Sequence, residues 1–468
     1  MRAELPPPPP LAGGIDGPAA LRPLVRTVLD ALGSGARSRG GPLPPGGPEA
    51  VDSALARALG DPLPEDGLGP DSALRDLVEA LAHGSADPAD PLCAAHLHTP
   101  PLALAAAAEL AAAALNPSMD SWDQAPAASV LEAAVLRSLA REVFPGGGAP
   151  DALVTTGGTE SNQLALLLAR ERRGAVQVLC GDDTHHSVHR AAWLLGLPAP
   201  RTAPLRDPAA LDRALAAAPG PVLVAATAGT TDSGRIDPLP GIAEACARHG
   251  AALHVDAAYG GPLLFSDARR HLLAGLDRAD TVTLDLHKLG WQPVAAGLLA
   301  VRDAALLAPL DHTAHYLNAE DDTEAGLPDL LGRSLRTTRR PDVLKIAITL
   351  RALGRRGLGD LVDRVCSTAQ DLADLVEKHP GLDLHGRPVL STVLFRPRGA
   401  SDERTAAIRR TLLLSGRAVL GRARADGRVW LKATLLNPHT TPDHLRTLIT
   451  LVEGSTPDDG DARTRSRS

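Results

Sequence analysis

Four short stretches of this 468-residue chain carry residue types that can do chemistry. They contain a glycine–threonine turn at residues 157–159, then His185, Asp256 and Lys288. Each follows a short apolar run that predicts a buried β-strand. Because ligands of open α/β sheets bind at the carboxyl ends of the strands, we expect the four stretches to meet at one edge of a sheet.

Each stretch has an ordinary structural explanation when it is taken alone. A pair of glycines can simply end a strand, and a histidine pair such as His185-His186 is more often structural than catalytic. Asp256 directly after a buried strand is energetically costly unless a cation or a strong donor meets it. Lys288 could be that cation, and this alternative predicts a buried Asp256–Lys288 salt bridge.

Taken together, the four stretches match the requirements of pyridoxal phosphate. That cofactor needs a lysine for its aldehyde, an acid beside its ring nitrogen, a cup for its phosphate and a flat group against its ring. Lys288, Asp256, the 157–159 turn and His185 can fill these roles in that order. The helix predicted after the turn would present free N–H groups to the phosphate.

The elements that position these stretches are short apolar strands alternating with helices. The predicted strands are 153–155, 176–180, 222–227, 253–255, 281–284 and 298–301. This alternation predicts an α/β fold with a mostly parallel sheet covered by helices on both faces. After about residue 340, a helical stretch leads into a smaller unit with strands at 389–395 and 429–431 and a closing helix at 442–453.

The chain divides into four predicted regions. Residues 1–85 form a flexible, proline-rich lead and an N-terminal helical segment, to which we assign no chemistry. Residues 86–345 form a large cofactor-binding domain, and residues 346–455 form a small C-terminal α/β domain. The polar tail 456–468 is predicted to be disordered.

Composition excludes several classes of protein. The 48 basic and 55 acidic residues give a net charge of −7, and no basic tract has aromatics interleaved, so no nucleic-acid partner is expected. No apolar run is long enough to span a membrane, and the N-terminus lacks a signal-peptide pattern. Four dispersed cysteines without CxxC spacing predict no disulfide framework and no metal site, and favour a reducing cytoplasm.

From Pro91 to the last predicted helix, the sequence resembles the group II pyridoxal-phosphate-dependent amino-acid decarboxylases. The matching stretches are TTGGTESN, THHSVHRAAWLLG, ATAGTTDSGRIDPL, HVDAAYGG, DLHK and RTTRRPDVLKI. The resemblance implies the aspartate-aminotransferase-like fold, pyridoxal-phosphate fold type I, with a seven-stranded sheet in the large domain. Residues 116–126 and 316–322 are most similar to the diaminobutyrate and lysine decarboxylase branch.

The resemblance also implies roles for individual residues. Lys288 would hold the cofactor covalently, Asp256 would pair with the ring nitrogen, and His185 would stack on the ring close to the substrate. The remaining implied cofactor contacts are Gly158, Thr159 and His287 to the phosphate, Ala258 beneath the ring and Thr230 near its polar edge.

Other implied roles concern the substrate. Tyr316, in the polar stretch 311–326 that we predict to be a loop, would protonate the substrate α-carbon; an ordinary loop aromatic is the alternative. Thr99, with His96 and His98, would line the substrate pocket. The family is dimeric, so a homodimer is implied, with active sites near the interface and N-terminal helices that wrap the partner.

The substrate class stays open at this point. The segment 92–101 lacks aromatics, which favours an aliphatic amino acid. The acidic cluster at 320–324 could attract a side-chain ammonium, although on charge alone a solvated loop is the commoner explanation. The branch resemblance favours a diamino acid, namely 2,4-diaminobutyrate, ornithine or lysine, with the amine and CO2 as products.

Alternatives remain for both substrate and activity. A neutral branched substrate such as valine, or an acidic one, is open, and so are an aminotransferase or aldehyde synthase on the same fold and a catalytically silent protein. The sequence departs from the family at Asp90-Pro91, where His-Pro is frequent, at residues 92–94, where aromatics are frequent, and at Lys432, which is commonly arginine. The first two departures bear on the substrate, and we have no interpretation of the third.

Overall fold

A computed structural model describes residues 8–311 and 320–455 of the chain. The helices are α1 Gly17–Arg39, α2 Gly47–Leu59, α3 Pro70–Gly84, α4 Ala103–Leu115, α5 Pro126–Val143, α6 Gly158–Arg173, α7 His186–Leu194, α8 Pro208–Ala216, α9 Leu239–His249, α10 Glu320–Glu324, α11 Val343–Lys378, α12 Asp402–Leu414 and α13 Pro442–Gly454. The strands are β1 Cys93–Ala94, β2 Asp151–Thr155, β3 Gln177–Cys180, β4 Arg201–Thr202, β5 Val222–Thr227, β6 Ala252–Asp256, β7 Thr281–Asp285, β8 Gly297–Val301, β9 Leu382–Leu384, β10 Thr392–Pro397, β11 Val419–Ala425 and β12 Arg428–Thr434.

The large domain is built on a seven-stranded sheet in the order β2-β8-β7-β6-β5-β3-β4. Its strand pairs are parallel except for the two that involve β8, which is antiparallel to both β2 and β7. Every residue of β5, β6 and β7 is buried, as expected for strands covered on both faces. The predicted mostly parallel seven-stranded sheet is confirmed.

Helices cover both faces of this sheet, which follows from the alternation of side chains along each strand. Val224 of β5 packs into a core with Leu211 of α8 and Ile242 of α9. Its neighbour Leu223 points the opposite way and packs with Leu166 of α6 and Val188 of α7. The sheet is therefore the middle layer of three.

The small domain carries a five-stranded sheet in the order β1-β11-β12-β10-β9. The strands near the predicted positions are β10 and β12, which pair antiparallel. The edge strand β1 lies within the region predicted to be large domain, yet Cys93 and Ala94 pair with Val419 and Leu420 of β11. The segment that follows β1 therefore starts on the small-domain sheet.

Helix α11 connects the two domains and spans the predicted boundary at residues 345 and 346. It is interrupted at Gly354, whose φ of 66° and ψ of 179° are not helical and suit a residue without Cβ. Val362 belongs to the large-domain core and Leu372 to the small-domain core. One helix thus fixes the separation of the two cores.

The N-terminal segment forms three helices, α1 to α3. Helices α2 and α3 contain no buried residue. Arg39 ties this segment to the body through an ion pair with Asp87, and Gly46 N–H donates to the Leu414 carbonyl at 2.9 Å. Within residues 8–311 and 320–455, no helix combines the length and apolarity that crossing a membrane requires.

Candidate active site

A cavity of about 360 Å³ opens at the edge where strands β2, β5, β6 and β7 end. The residues that line it are Leu97, Thr156, Gly157, Gly158, Thr159, His185, Thr227, Gly229, Thr231, Asp256, Ala258, Tyr259, Asp285, His287 and Lys288. Seven of the predicted site residues meet here: Lys288, Asp256, His185, Gly158, Thr159, His287 and Ala258. Tyr316 lies outside the described residues.

Lys288 forms an ion pair with Asp285 rather than with Asp256. Its Nζ lies 2.8 Å from Asp285 Oδ2, and His287 Nε2 lies 3.5 Å from the same oxygen. Asp285 is the last residue of β7, as Asp256 is the last of β6, and its side chain is only 2% exposed. The alternative of a simple Asp256–Lys288 salt bridge is therefore not realised, and Asp285 is a site residue that sequence reasoning missed.

Neutral donors hold the Asp256 carboxylate. The Asn162 amide nitrogen donates to Oδ2 at 2.7 Å, and the Ala258 backbone N–H donates to Oδ1 at 3.1 Å. Neither bond cancels the negative charge of Asp256. That charge is buried at the wall of the cavity and faces a site where a cationic ring nitrogen would fit.

The glycine turn lets the backbone at the start of α6 approach the cavity closely. A Cβ added to Gly158 would lie 3.1 Å from Ala258 Cβ and 3.2 Å from Asp285 Oδ2. A Cβ added to Gly157 would lie 3.0 Å from His287 Cε1. Because the first N–H groups of a helix have no partner within the helix, α6 presents donors and the positive end of its dipole to this space. The turn is thus suited to a phosphate group.

His185 caps the start of α7 and lines the cavity. Its Nδ1 lies 2.8 Å from Ser187 Oγ. Burial is the main cause that lowers the pKa of His185, and Lys288 contributes in the same direction, whereas Asp256 opposes it. His185 is therefore mainly neutral at pH 7 and offers a flat face to a ring.

Thr230 is buried but its hydroxyl is used within its own turn. Thr230 Oγ1 lies 3.0 Å from Ser233 Oγ and accepts from the Arg235 backbone N–H at 3.1 Å. It is not among the residues that line the cavity, whereas Thr227 and Thr231 are. Within the described residues, the buried Thr227 Oγ1 has no hydrogen-bond partner, so this hydroxyl is available to a ligand.

The segment 92–101 contributes Leu97 to the cavity wall, and Thr99, His96 and His98 are not lining residues. His96 has a positive φ of 62°, and burial lowers its pKa, with Lys432 as the next cause. Burial also lowers the pKa of His98. Thr99 is buried, and its Oγ1 has no partner within the part of the chain that the structure describes.

Lys432, the position that departs from the family pattern, reaches from the small domain to the turn beside the cavity. Its Nζ donates to the Thr231 carbonyl at 3.2 Å and to Asp232 Oδ1 at 3.0 Å. Thr231 itself lines the cavity. Lys432 therefore joins the small domain to one wall of the site.

The residues in the cavity fit pyridoxal phosphate. The cavity is surrounded by Lys288, by the Asp256 carboxylate without a paired cation among the described residues, by the neutral imidazole of His185 and by the start of α6, whose glycines allow a ligand close to the backbone. In the described structure Asp285 Oδ1 and Thr227 Oγ1 are buried without partners, so polar groups at this wall are available to a ligand.

Comparison with known proteins agrees with this geometry. Residues 54–398 match the model of the pyridoxal-dependent decarboxylase conserved domain. The chain belongs to this family. The decarboxylase is a pyridoxal-phosphate-dependent carboxy-lyase, and its mostly parallel sheet is that of fold type I.

Two curated relatives share most of their length with this decarboxylase. It is 41% identical over 414 residues to the L-2,4-diaminobutyrate decarboxylase of Rhizobium meliloti (strain 1021), which covers 84% of this chain and 83% of the relative. It is 33% identical over 430 residues to the L-2,4-diaminobutyrate decarboxylase of Acinetobacter baumannii, with 83% and 84% covered.

Solved structures show the same fold. The glutamate decarboxylase domain of a Vibrio parahaemolyticus protein described as diaminobutyrate-pyruvate transaminase and L-2,4-diaminobutyrate decarboxylase superposes with a TM-score of 0.83 and 30% identity, covering 96% of this chain and 97% of that one. The mouse protein CSAD superposes with a TM-score of 0.84 and 26% identity, covering 94% and 99%.

Substitution of Gly158 by alanine tests the glycine turn. We expect Gly158→Ala to raise the dissociation constant of pyridoxal phosphate roughly 5- to 150-fold, the equivalent of about 1–3 kcal/mol of overpacking against Ala258 and Asp285. The measurement is titration of the protein with cofactor, followed by visible absorbance. Gly241→Ala is the matched control, because a Cβ at that helical glycine meets no atom within 4 Å. Wild-type cofactor affinity in Gly158→Ala would contradict the assignment.

Proposed function

We propose that this decarboxylase acts on a diamino acid, L-2,4-diaminobutyrate in the first instance, and releases CO2 and the corresponding diamine. The observation that carries the cofactor chemistry is the convergence of Lys288, Asp256, His185 and the 157–159 turn on one cavity. The choice of substrate is supported by the similarity to the two L-2,4-diaminobutyrate decarboxylases over most of both chains. The diamine product links the proposed reaction to polyamine metabolism.

The cavity wall is compatible with an aliphatic substrate. The segment 92–101 contributes Leu97, and among the described lining residues the one phenyl-type ring belongs to Tyr259. The Tyr259 hydroxyl forms hydrogen bonds with Ser391 Oγ at 2.8 Å and with Thr392 Oγ1 at 3.0 Å. Burial raises the pKa of Tyr259 to about 12, so this side chain is a neutral, fixed part of the wall.

The acidic cluster at 320–324 gives the diamino-acid proposal no structural support. These residues form the short helix α10, although we predicted a loop there. Asp321, Asp322 and Glu324 are exposed. Their exposure matches the explanation that they are solvated, so the proposed substrate depends on the relatives and not on this cluster.

The cofactor, when bound, supplies an electron sink for the charge that develops on the substrate α-carbon as CO2 leaves. Lys288, which lines the cavity, would hold the cofactor covalently through its side-chain amine. Asp256 would pair with the ring nitrogen and favour its protonated form, because a nearby carboxylate raises the pKa of such a nitrogen. Asp285, 2.8 Å from Lys288 Nζ, accepts a hydrogen bond from the free amine and orients it.

Tyr316 is proposed as the acid that returns a proton to the substrate α-carbon. This role rests on the family resemblance of the sequence around it. Tyr316→Phe should lower amine formation, since loss of a positioned general acid typically costs about 10²- to 10⁴-fold in rate. The measurement is the yield of amine in single-turnover reactions with the best substrate. Amine formation that survives unchanged would remove Tyr316 from the mechanism.

A screen for CO2 release across the amino acids, with the product amines identified, tests the proposed function. We expect the highest kcat/KM with 2,4-diaminobutyrate, followed by ornithine or lysine, and lower values with valine, glutamate and aromatic amino acids. Lys288→Ala is the control and should abolish turnover with each substrate. A preference for valine or glutamate would overturn the substrate, and keto acid or aldehyde in place of amine would favour an aminotransferase or aldehyde synthase.

We propose a homodimer with the active sites near its interface. The outward face of α4 is apolar, with Leu110 41% and Leu115 74% exposed, and the one charged residue of this helix, Glu109, is paired with Lys345 and Arg340. Helices α2 and α3 likewise leave leucines exposed, which suits a segment that packs on a second chain. A large exposed apolar surface favours association.

Sedimentation equilibrium tests the dimer. The full chain should give twice its mass of 48.4 kDa. The double variant Leu110→Glu/Leu115→Glu should shift the mass towards a single chain, because it places two charges in the proposed interface. A wild-type mass of one chain would contradict the proposal.

We also propose a cytoplasmic location. Cys93, Cys180, Cys246 and Cys366 are buried, unpaired thiols in the described structure. Free thiols throughout a chain are typical of a reducing compartment.

A further inference from the structure

Asn162 is the centre of a buried hydrogen-bond network behind the cavity wall. Its side chain is fully buried, and its Nδ2 donates to Asp256 Oδ2 at 2.7 Å and to Ser187 Oγ at 2.8 Å. Its Oδ1 accepts from Thr283 Oγ1 at 2.8 Å and from His254 Nε2 at 3.0 Å. These four bonds use the full capacity of a primary amide, two donors and two acceptor sites.

The network has one consistent arrangement of protons. The Asp256 carboxylate accepts, so the amide nitrogen of Asn162 must face it and the amide oxygen must face His254. His254 therefore donates from Nε2. Burial lowers the pKa of His254 to about 4, so this ring is neutral and its Nδ1 accepts from Thr281 Oγ1 at 2.8 Å.

The same arrangement extends through Ser187 to His185. Because Ser187 Oγ accepts from Asn162, its own hydroxyl proton is free to donate to His185 Nδ1 at 2.8 Å. The Ser187 backbone N–H also faces Nδ1, at 3.4 Å. Because two donors point at Nδ1, the proton of the neutral imidazole must lie on Nε2. Within the described residues Nε2 has no hydrogen-bond partner, and His185 lines the cavity.

We propose that Asn162 is a positioning residue that fixes two groups of the site at once, the Asp256 carboxylate directly and the Nε2–H tautomer of His185 through Ser187. The inference rests on the proposed roles of Asp256 and His185 in the decarboxylase. It deepens them, since His185 then presents a hydrogen-bond donor to the cavity and not a base. The amide nitrogen of Asn162 donates to both Asp256 and Ser187, so it links the orientation of the Asp256 carboxylate to the tautomer of His185.

The charged groups around His185 oppose one another. Asp256 and Asp285 favour its protonation, and His186 and Lys288 disfavour it. Donors at Nδ1 stabilise the neutral ring, so their loss raises the pKa of His185. Removal of the Ser187 hydroxyl is therefore expected to raise the pKa of His185, which a pH titration of the ring can measure.

Nitrogen-15 NMR of histidine-labelled holoenzyme measures the tautomer directly, without substrate. His185 signals are assigned by their loss in His185→Gln. The wild type should show a protonated Nε2 and an unprotonated Nδ1. Ser187→Ala should move the His185 signals towards a mixture of tautomers and raise the pKa of the ring. Ser129→Ala, which removes another buried serine hydroxyl bonded at 2.9 Å to a backbone carbonyl, should change neither.

Asn162→Leu removes both hydrogen bonds that the amide nitrogen donates, to Asp256 and to Ser187. We expect the same change in the His185 signals and, in addition, a dissociation constant for pyridoxal phosphate raised roughly 10- to 100-fold, because a hydrogen bond to a charged group is lost. If this variant does not fold, as judged by its thermal unfolding, Ser187→Ala alone decides the proposal.

Three results would overturn the inference. They are a wild-type His185 with its proton on Nδ1, an unchanged His185 spectrum in Ser187→Ala, and a folded Asn162→Leu with wild-type cofactor affinity. These measurements need no substrate, so they remain valid if the proposed substrate is wrong. If they contradict the inference about Asn162, the proposed decarboxylase activity is unaffected.

Discussion

Two carboxylates buried at the ends of neighbouring strands control the electrostatics of this site. Among the described residues, Asp285 is met by the ammonium of Lys288, whereas the partners of Asp256 are the neutral donors Asn162 and Ala258. Burial of an ion without a counter-charge is costly, so Asp256 is stabilised further by a cation that enters the cavity. In the proposed arrangement, Lys288 neutralises Asp285, and Asp256 is left as the carboxylate that would pair with the protonated ring of the cofactor.

The layered fold makes this division possible. Parallel strands bring residues that are distant in sequence to one edge, and helices cover both faces of the sheet. Helix α11 then connects the large-domain core to the small-domain core. The small domain reaches back to the site through Lys432, whose ammonium contacts the turn that contains Thr231. The site therefore belongs to both domains.

Much of the fold and part of the site could be predicted from sequence, because strand ends and glycine turns leave local signals. Asp285 carries the same signal as Asp256, a carboxylate that ends a buried strand, and could have been found by that rule. Asn162 could not, since its partner Asp256 is 94 residues away and only the folded sheet brings them together. Thr230 shows that a motif position does not fix the direction of a side chain.

The substrate segment was harder for a related reason. Strand β1 has two residues, too few for an alternating pattern, so its membership of the small-domain sheet leaves no trace in the sequence. Likewise, no periodicity marks Leu97, rather than Thr99 or either histidine, as the residue at the cavity wall.

The segment after β1 is anchored at both ends, and its anchors lie on different bodies. Cys93 and Ala94 pair with the small-domain strand β11, while the Leu102 N–H donates to the Trp291 carbonyl at 2.9 Å, close to Lys288 in sequence. Leu97 lies between these anchors. The position of Leu97 therefore depends on both bodies, whereas Asp256 ends β6 and Lys288 follows β7, so both of these residues belong to the large domain alone. A change in the small domain that displaces β11 would thus be expected to alter the cavity wall at Leu97 before it alters the groups that end the large-domain strands.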